Sequence, residues 1–318
     1  MKPVPGLIES GSHEPGVAID RFGLPADTAL RYERPDPRLA GLVSDYHVLD
    51  SIERVPDGAI DWMLPSWAAI RIILSERPIA LRLGNRYYDP LPVASLYGVT
   101  SRAMRLETHG GVTVGVGLTP LGWARLFTQR ADAFRDRITP LDQLLPPAQV
   151  AALVTRLRAS DRSRDVKAIL DAALLPLMPR PHPDEPMIAR IMAMLLDDRR
   201  RDLNGAAEEL GVTDDRLRNV TNRYFGFPPK TLLLRSRFLR HFVHMLVNGD
   251  ASDLTHIAPA YHDASHFLRD ARRFLGMTPR AFMAMDTPYL KAALRARAIV
   301  FGQPTATLRA AGINRPEA

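Results

Sequence analysis

Between residues 46 and 118 the chain alternates short apolar runs with turn residues. Residues 46–49, 60–64, 70–74, 79–83, 93–99, 102–108 and 112–118 each have the length and the period-two pattern of a β-strand. Pro56-Asp57-Gly58, Gly84-Asn85 and His109-Gly110-Gly111 mark turns between them. Seven short strands at this spacing predict an antiparallel barrel or sandwich. Arg71, Arg82 and Arg105 sit between apolar neighbours. Such arginines usually form the solvated face of a sheet; turned inward, they would meet an anionic ligand. Trp62, Trp67 and Trp123 read as core packing first and as pocket lining second.

At Thr119-Pro120 the period changes to that of a helix, with a capping threonine followed by proline at the first helical position. Leu121, Trp123, Leu126 and Phe127 recur at helical spacing, and residues 141–145, 150–157 and 166–175 continue the pattern. Residues 176–186 contain five prolines, which predicts a stiff extended linker and a domain boundary. Beyond it, residues 187–196 form an amphipathic helix. Residues 232–246 form a longer one, with Leu233, Phe238, Phe242 and Leu246 on its apolar side and Arg235, Arg237 and Arg240 spread over the rest. A last helix is expected over residues 289–300, carrying Arg295 and Arg297, with frayed residues after it.

One short text occurs twice. Gly226-Phe227-Pro228-Pro229 is echoed fifty residues on by Gly276-Met277-Thr278-Pro279, and each closes a helical, Arg-containing segment, 214–225 and 263–275. Ahead of the first copy, Ala207, Gly211 and Thr213 read as a small residue at a helix crossing, a positive-φ turn and an N-cap. Leu203, Leu210, Val212 and Leu217 are apolar where the two helices must meet. This is the layout of a helix-turn-helix. Its duplication suits a rigid body that lays two helices into successive major grooves of DNA.

At this point the sequence resembles the AraC/XylS family of bacterial transcription regulators. The resemblance rests on Ala207-x-x-x-Gly211, Leu217, Gly226-x-x-Pro229, Arg237-Phe238, Asp263-x-Ser265-His266-Phe267 and Arg272-Arg273-Phe274-x-Gly276-Met277-Thr278-Pro279. It covers about a hundred residues, from the linker to Phe282. The stretch from Pro56-Asp57-Gly58 to Val116-Gly117-Leu118-Thr119-Pro120 also looks like a sensor domain found before such modules. The resemblance implies a base-reading surface at Asp215, Arg218 and Asn219 on the first recognition helix, and at Ala264, Ser265, His266 and Arg269 on the second. Arginine can bond guanine bidentately and asparagine adenine, whereas Asp215 could at best accept from cytosine. Asn222 belongs to the same DNA-binding set, and Arg223, Arg272 and Arg273 suit phosphate contacts, which position without reading sequence. His266 otherwise reads as a core or backbone-bonded residue.

Two departures from the family pattern carry expectations. Thr221 and Ala271 stand where each recognition helix carries a buried phenylalanine, and Val220, Phe225 and Leu275 are the neighbours placed to compensate. The second unit is shortened: Ala258 lies close to Asp263, and Pro259 stands where its first helix should run.

Composition narrows the field. The 318 residues carry a formal charge of +7, almost all of the cations being arginine, which favours an anionic partner. No cysteine is present, so disulfides, thiol chemistry and Cys-ligated zinc are excluded. His241/His244 and His262/His266 have metal-like spacings but no third ligand, and no catalytic set, phosphate loop or cofactor motif stands out. The expected fold class is α+β: a β-rich, barrel- or sandwich-like N-terminal domain with trailing helices, then an all-α domain with two helix-turn-helix units. The expected divisions are an irregular arm (1–44), a sensor or dimerisation domain (45–178), a linker (179–186), the DNA-binding domain (187–285) and a helical tail (286–318). Candidate partners are double-stranded DNA, a small-molecule effector and a second copy of the chain. No run is apolar enough to span a bilayer, and a cytoplasmic location is expected. The alternative is a ligand-binding or protein-interaction protein whose helix-turn-helix pair does not read DNA.

Overall fold

The computed structural model describes residues 6–52, 58–197, 205–248, 261 and 264–306. Nine strands precede the first helix: β1 (Thr28–Glu33), β2 (Val43–Ser51), β3 (Ala59–Met63), β4 (Ala69–Ile73), β5 (Ala80–Leu83), β6 (Arg86–Tyr88), β7 (Ala94–Tyr97), β8 (Met104–Thr108) and β9 (Gly111–Leu118). Helix α1 (Pro120–Leu126) and strand β10 (Ile138–Pro140) follow. Six strands form one antiparallel sheet in the order β1-β2-β9-β4-β7-β10, and four form a second in the order β3-β8-β5-β6.

Each of the seven runs picked out by alternation overlaps a strand, with five of them running one to three residues beyond it. Three further strands had no such signal. β1 falls inside the stretch expected to be an irregular arm, and it pairs with β2 from Thr28↔Ser51 to Glu33↔Tyr46. All six of its residues are buried, so the two faces do not separate into apolar and polar sets. β6 and β10 have three residues each, too few to show a period, and exist through their pairing with β5 and β7.

The larger sheet is covered on both faces. Val112, Val114, Val116 and Leu118 of β9 point to one side, with Tyr46, Val48, Ile70 and Ile72, against helices α1, α2 (Pro147–Ala159) and α3 (Val166–Leu174). The alternate positions, including Gly115 and Gly117, face the other side. A Cβ on Gly115 would collide with the His47 ring, and one on Gly117 with Ser44 Oγ. Glycine at positions 115 and 117 of β9 therefore makes room for polar groups on that face.

Thr119 caps α1 by accepting from Gly122 N, 3.1 Å, with Pro120 in the first turn, as its sequence predicts. In the proline-rich stretch, Pro176 lies in a short 3-10 turn and Pro186 in the first turn of α4 (Glu185–Leu196). Proline is tolerated at helix starts, so the extended segment is shorter than five prolines suggest. The remaining helices are α5 (Ala206–Leu210), α6 (Asp214–Phe225), α7 (Pro229–Asn248), α8 (Ala264–Leu275), α9 (Pro279–Met283) and α10 (Pro288–Phe301).

Helix α7 does not have the polar side expected of it. Arg235 is fully buried, and Ser236 beside it nearly so. The reason is tertiary: the N-terminal domain covers this face, and Arg235 Nη1 donates to the Thr100 carbonyl, 2.8 Å, beneath the Trp67 ring. Helix α10 turns back from the C-terminal domain and packs on β1 and β3. There Phe22, Leu30 and Tyr32 meet Ala296, Val300 and Phe301.

Candidate nucleic-acid interface

The first unit is built as its sequence predicts. Gly211 ends α5 in the left-handed region at φ 68°, and Thr213 caps α6 by accepting from Arg216 N at 3.2 Å. Leu210 and Leu217 are buried where α5 and α6 meet, and Val212 is half-buried; Leu203 lies outside the described residues. Arg190 of α4 donates to the carbonyls of Glu209 and Leu210, 2.6 and 2.9 Å, and so braces the turn. Asp215, Arg218 and Asn219 are exposed on the outer face of α6. Their side chains are engaged within the protein. Arg218 meets Asp215 at 3.3 Å, and the Asn219 amide oxygen accepts from Arg130 of the N-terminal domain at 2.8 Å. Asn222 is half-buried, with its amide oxygen turned from solvent and unpartnered, and the Arg223 guanidinium lies over Tyr224.

Helix α8 presents a different surface. Ala264, Ser265, His266, Arg269, Arg272 and Arg273 are all exposed, so His266 is not a core residue. Among the described residues no acid faces Arg269 or Arg272, while Arg273 donates to Thr231 Oγ1 at 3.3 Å. Phe267, Ala271, Phe274 and Leu275 form the buried side. Ala271 sits in a cluster where Phe238 stacks on Phe242 and Phe274 and meets Phe267 at a tilt, at 5.4–5.5 Å between centroids. These rings supply the apolar bulk that a phenylalanine at 271 would have given. Thr221, likewise fully buried, bonds the Arg218 carbonyl at 3.0 Å. Residues 249–260, 262 and 263, with Ala258, Pro259, His262 and Asp263, lie outside the described residues. No group of three metal-ligating side chains occurs among the described residues.

Helices α6 and α8 are both tied to the N-terminal domain at their C-terminal ends. Trp67 packs edge-on against Phe225, and Gly226 comes so close to Val99 that a Cβ there would lie 3.2 Å from its Cβ. On the α8 side, Ala103 N donates to the Phe274 carbonyl at 2.7 Å, and Trp62 meets Phe282. Arg235 has two further nitrogens without partners, and burial pulls its guanidinium down to about 9.

Behind this interface a cleft of about 210 Å³ lies between the larger sheet, β3 and α10. Asp45 and Arg297 form a buried pair at 2.9 Å, and His47 Nδ1 lies 3.1 Å from the other Asp45 oxygen. Burial alone would raise the Asp45 carboxyl; Arg297, His47 and Ser44 together hold it well below the usual range. Burial pushes His47 down, against its hydrogen bond to Asp45. Asp61 of β3 accepts from Tyr289 N at 2.7 Å and Leu290 N at 3.3 Å, at the start of α10. Burial raises its carboxyl to about 6, against these N–H bonds. Arg71 also faces the cleft, unlike Arg82, which is exposed, and Arg105, which pairs with Glu107. Trp62 and Trp67 line the cleft, whereas Trp123 is core and donates to the Gln129 carbonyl at 2.9 Å. Sequence reasoning did not single out Asp45, Asp61 or Arg130, and it placed Arg235 on the polar part of its helix. The polar alternation Asp45-Tyr46-His47 opposite Gly115 and Gly117 was the available signal for the first.

Residues 206–285 match the family described as a helix-turn-helix domain. No curated protein sequence matches the chain. Among solved structures, ToxT from Vibrio cholerae aligns at 11% identity over 75% of this chain and 97% of its own, with a TM-score of 0.43. ToxT bound to an unsaturated fatty acid aligns at 9% identity over 82% and 96%, again at 0.43. The AraC-like transcriptional activator CuxR aligns at 10% identity over 67% and 86%, with a TM-score of 0.22. No helix among the described residues is long and apolar enough to cross a membrane. The chain thus carries a helix-turn-helix module behind a β-rich domain and its trailing helices.

Proposed function

We propose that the chain is a sequence-specific, DNA-binding transcription regulator of the cytoplasm. Its sensor part lies before the proline-rich stretch 179–186 and its reading part after it. The observation that carries this is α8, whose outer face offers Ser265, His266, Arg269, Arg272 and Arg273 together, over a core that fixes the helix. Arg269 is placed to bond guanine, and Arg272 and Arg273 to hold phosphate. On α6, Arg218 and Asn219 would read bases once released from Asp215 and Arg130, with Arg223 on the backbone. The cleft beneath α10 supports control by a small molecule. Self-association through the N-terminal domain is the other candidate control, read by sedimentation across a concentration series.

A second reading, a ligand-binding or protein-interaction protein that does not read DNA, is favoured by the internal engagement of Asp215, Arg218 and Asn219. Selection of random duplexes by the full chain across a salt series separates the two. A steep fall of binding with salt, and an enriched sequence with two blocks about 10 base pairs apart, supports the regulator. Weak binding with no enriched sequence supports the alternative.

A further inference from the structure

Arginines gather at one edge of the N-terminal domain, around a turn held in an uncommon conformation. Among the described residues, Asp136 is the non-glycine residue with a positive φ, 48°. Both of its carboxylate oxygens are engaged: Ser101 N donates to one at 2.6 Å and Ser101 Oγ to the other at 2.7 Å. Its own N–H donates to the Val99 carbonyl at 3.0 Å, and Gly98 N donates to the Arg137 carbonyl at 2.9 Å. With the acid turned inward, Arg135 and Arg137 on either side of it are exposed. Arg86 joins them by donating to the Asp136 carbonyl at 2.9 Å, and the exposed Arg102 follows Ser101. Arg105 and Arg130 nearby pair with Glu107 and Asp132, whereas Arg102, Arg135 and Arg137 have no carboxylate partner among the described residues.

The turn lies where the two halves of the protein meet. Segment 99–103, to which Asp136 is bonded, has Val99 against Gly226 at the end of α6 and Ala103 bonded to Phe274 near the end of α8. Four residues of chain span at most about 14 Å, so the patch is bracketed by the C-terminal ends of both helices. On the α6 side, Arg130 reaches the outward face of that helix at Asn219, and the 3-10 turn Ala131–Phe134, packed on α6, leads straight into Arg135.

Resting on the regulator reading, we propose that this patch is a third DNA contact, made by the N-terminal domain. Arg102, Arg135 and Arg137, with Arg86 beside them, hold backbone phosphates between the stretches of duplex met by α6 and α8. Such contacts position without reading sequence, and these guanidiniums give up no internal ion pair to make them. Movement of the N-terminal domain that carries the 135–137 turn off the duplex then lowers affinity for every sequence alike.

The test is binding of the full chain to a mixed-sequence duplex of about 40 base pairs across a salt series, where each phosphate held contributes a slope of about −0.9 in log affinity against log salt. The triple variant Arg102→Gln/Arg135→Gln/Arg137→Gln should flatten the slope by about 2 to 3 and weaken binding at least about tenfold at low salt. A second triple variant, Arg156→Gln/Arg158→Gln/Arg164→Gln, removes the same charge from exposed positions on α2 and the turn after it, and should change the slope by less than about 1. Because the chain has no cysteine, Arg135→Cys can carry a tethered iron–EDTA cleavage reagent; it should cut the duplex, and Arg158→Cys should not. Equal slopes in the unmodified chain and the first triple variant, or equal flattening by both triples, would overturn the patch and leave the regulator reading standing. No salt-dependent binding by the unmodified chain would overturn both. Loss of binding to phosphatidylglycerol vesicles in the first variant, with its DNA slope unchanged, would assign the patch to a lipid surface instead. Should that variant not fold, cleavage by the labelled Arg135→Cys chain decides.

Discussion

Helices α6 and α8 start from one design and finish in different electrostatic settings. Each is twelve residues long and ends at a left-handed glycine followed by a proline-started helix. On α6 the outward groups meet partners inside the protein: Asp215 with Arg218, and Asn219 with Arg130. On α8, Arg269 and Arg272 face outward with no acid near them among the described residues. A repeated motif therefore fixes the helix and its cap, while the neighbouring domain decides what the helix can offer a ligand. On the proposed reading α8 would meet phosphate and bases directly, and α6 would first have to give up contacts.

The largest effect should come from the carboxyl that ties the start of α10 to β3, Asp61. Its carboxyl binds a proton more tightly in the fold, at about 6 against 3.8. Its favourable contribution is complete below about pH 4 and is lost as the pH rises through 6, a difference on the order of 3 kcal/mol. Asp61→Asn keeps an acceptor for α10 and should remove that slope; urea unfolding of both proteins from pH 4 to 7 reads it. Equal slopes would detach this carboxyl from the stability of the tether.

Arg269→Ala should cost about 1–3 kcal/mol of DNA binding and relax preference at one position, whereas Arg273→Ala should weaken all sequences alike and reduce the salt slope by about 1. Equal loss from both variants on every sequence would remove the distinction between reading and positioning on α8. Restoring the family ring with Ala271→Phe should destabilise rather than repair, by about 1–3 kcal/mol, since the phenylalanine cluster already fills the space. A rise in Tm would show that α8 is underpacked.

The smallest effect is the one that most directly tests the comparison. The Arg130–Asn219 bond is exposed, so its coupling should be below about 1 kcal/mol. Arg130→Ala should strengthen DNA binding slightly, and Asn219→Ala should cost more in the Arg130→Ala background than alone. An additive double-mutant cycle would mean that Arg130 does not restrain α6.

Much of the β-domain was legible because alternation survives wherever one face of a strand differs from the other, as in residues 70–74 and 112–118. It failed for β1, buried on both faces, and for β6 and β10, too short to carry a period. In the candidate interface, the outward positions of Arg218 and Arg269 were what the family resemblance implied, and both are exposed. The engagement of Asn219 by Arg130, 89 positions away, did not.

By itself the sequence determined the local units: the strands with a polar face, the capped helices, the glycine turns and the two Arg-bearing helices that end at Gly226 and Gly276. Each depends on residues a few positions apart. Only the tertiary structure decided that Arg235 is buried, that Arg71 faces inward while Arg82 and Arg105 face out, and that α10 closes the cleft beside Asp45. Those outcomes depend on which surfaces meet across more than a hundred residues of chain, and a period read along the chain carries no information about what covers it.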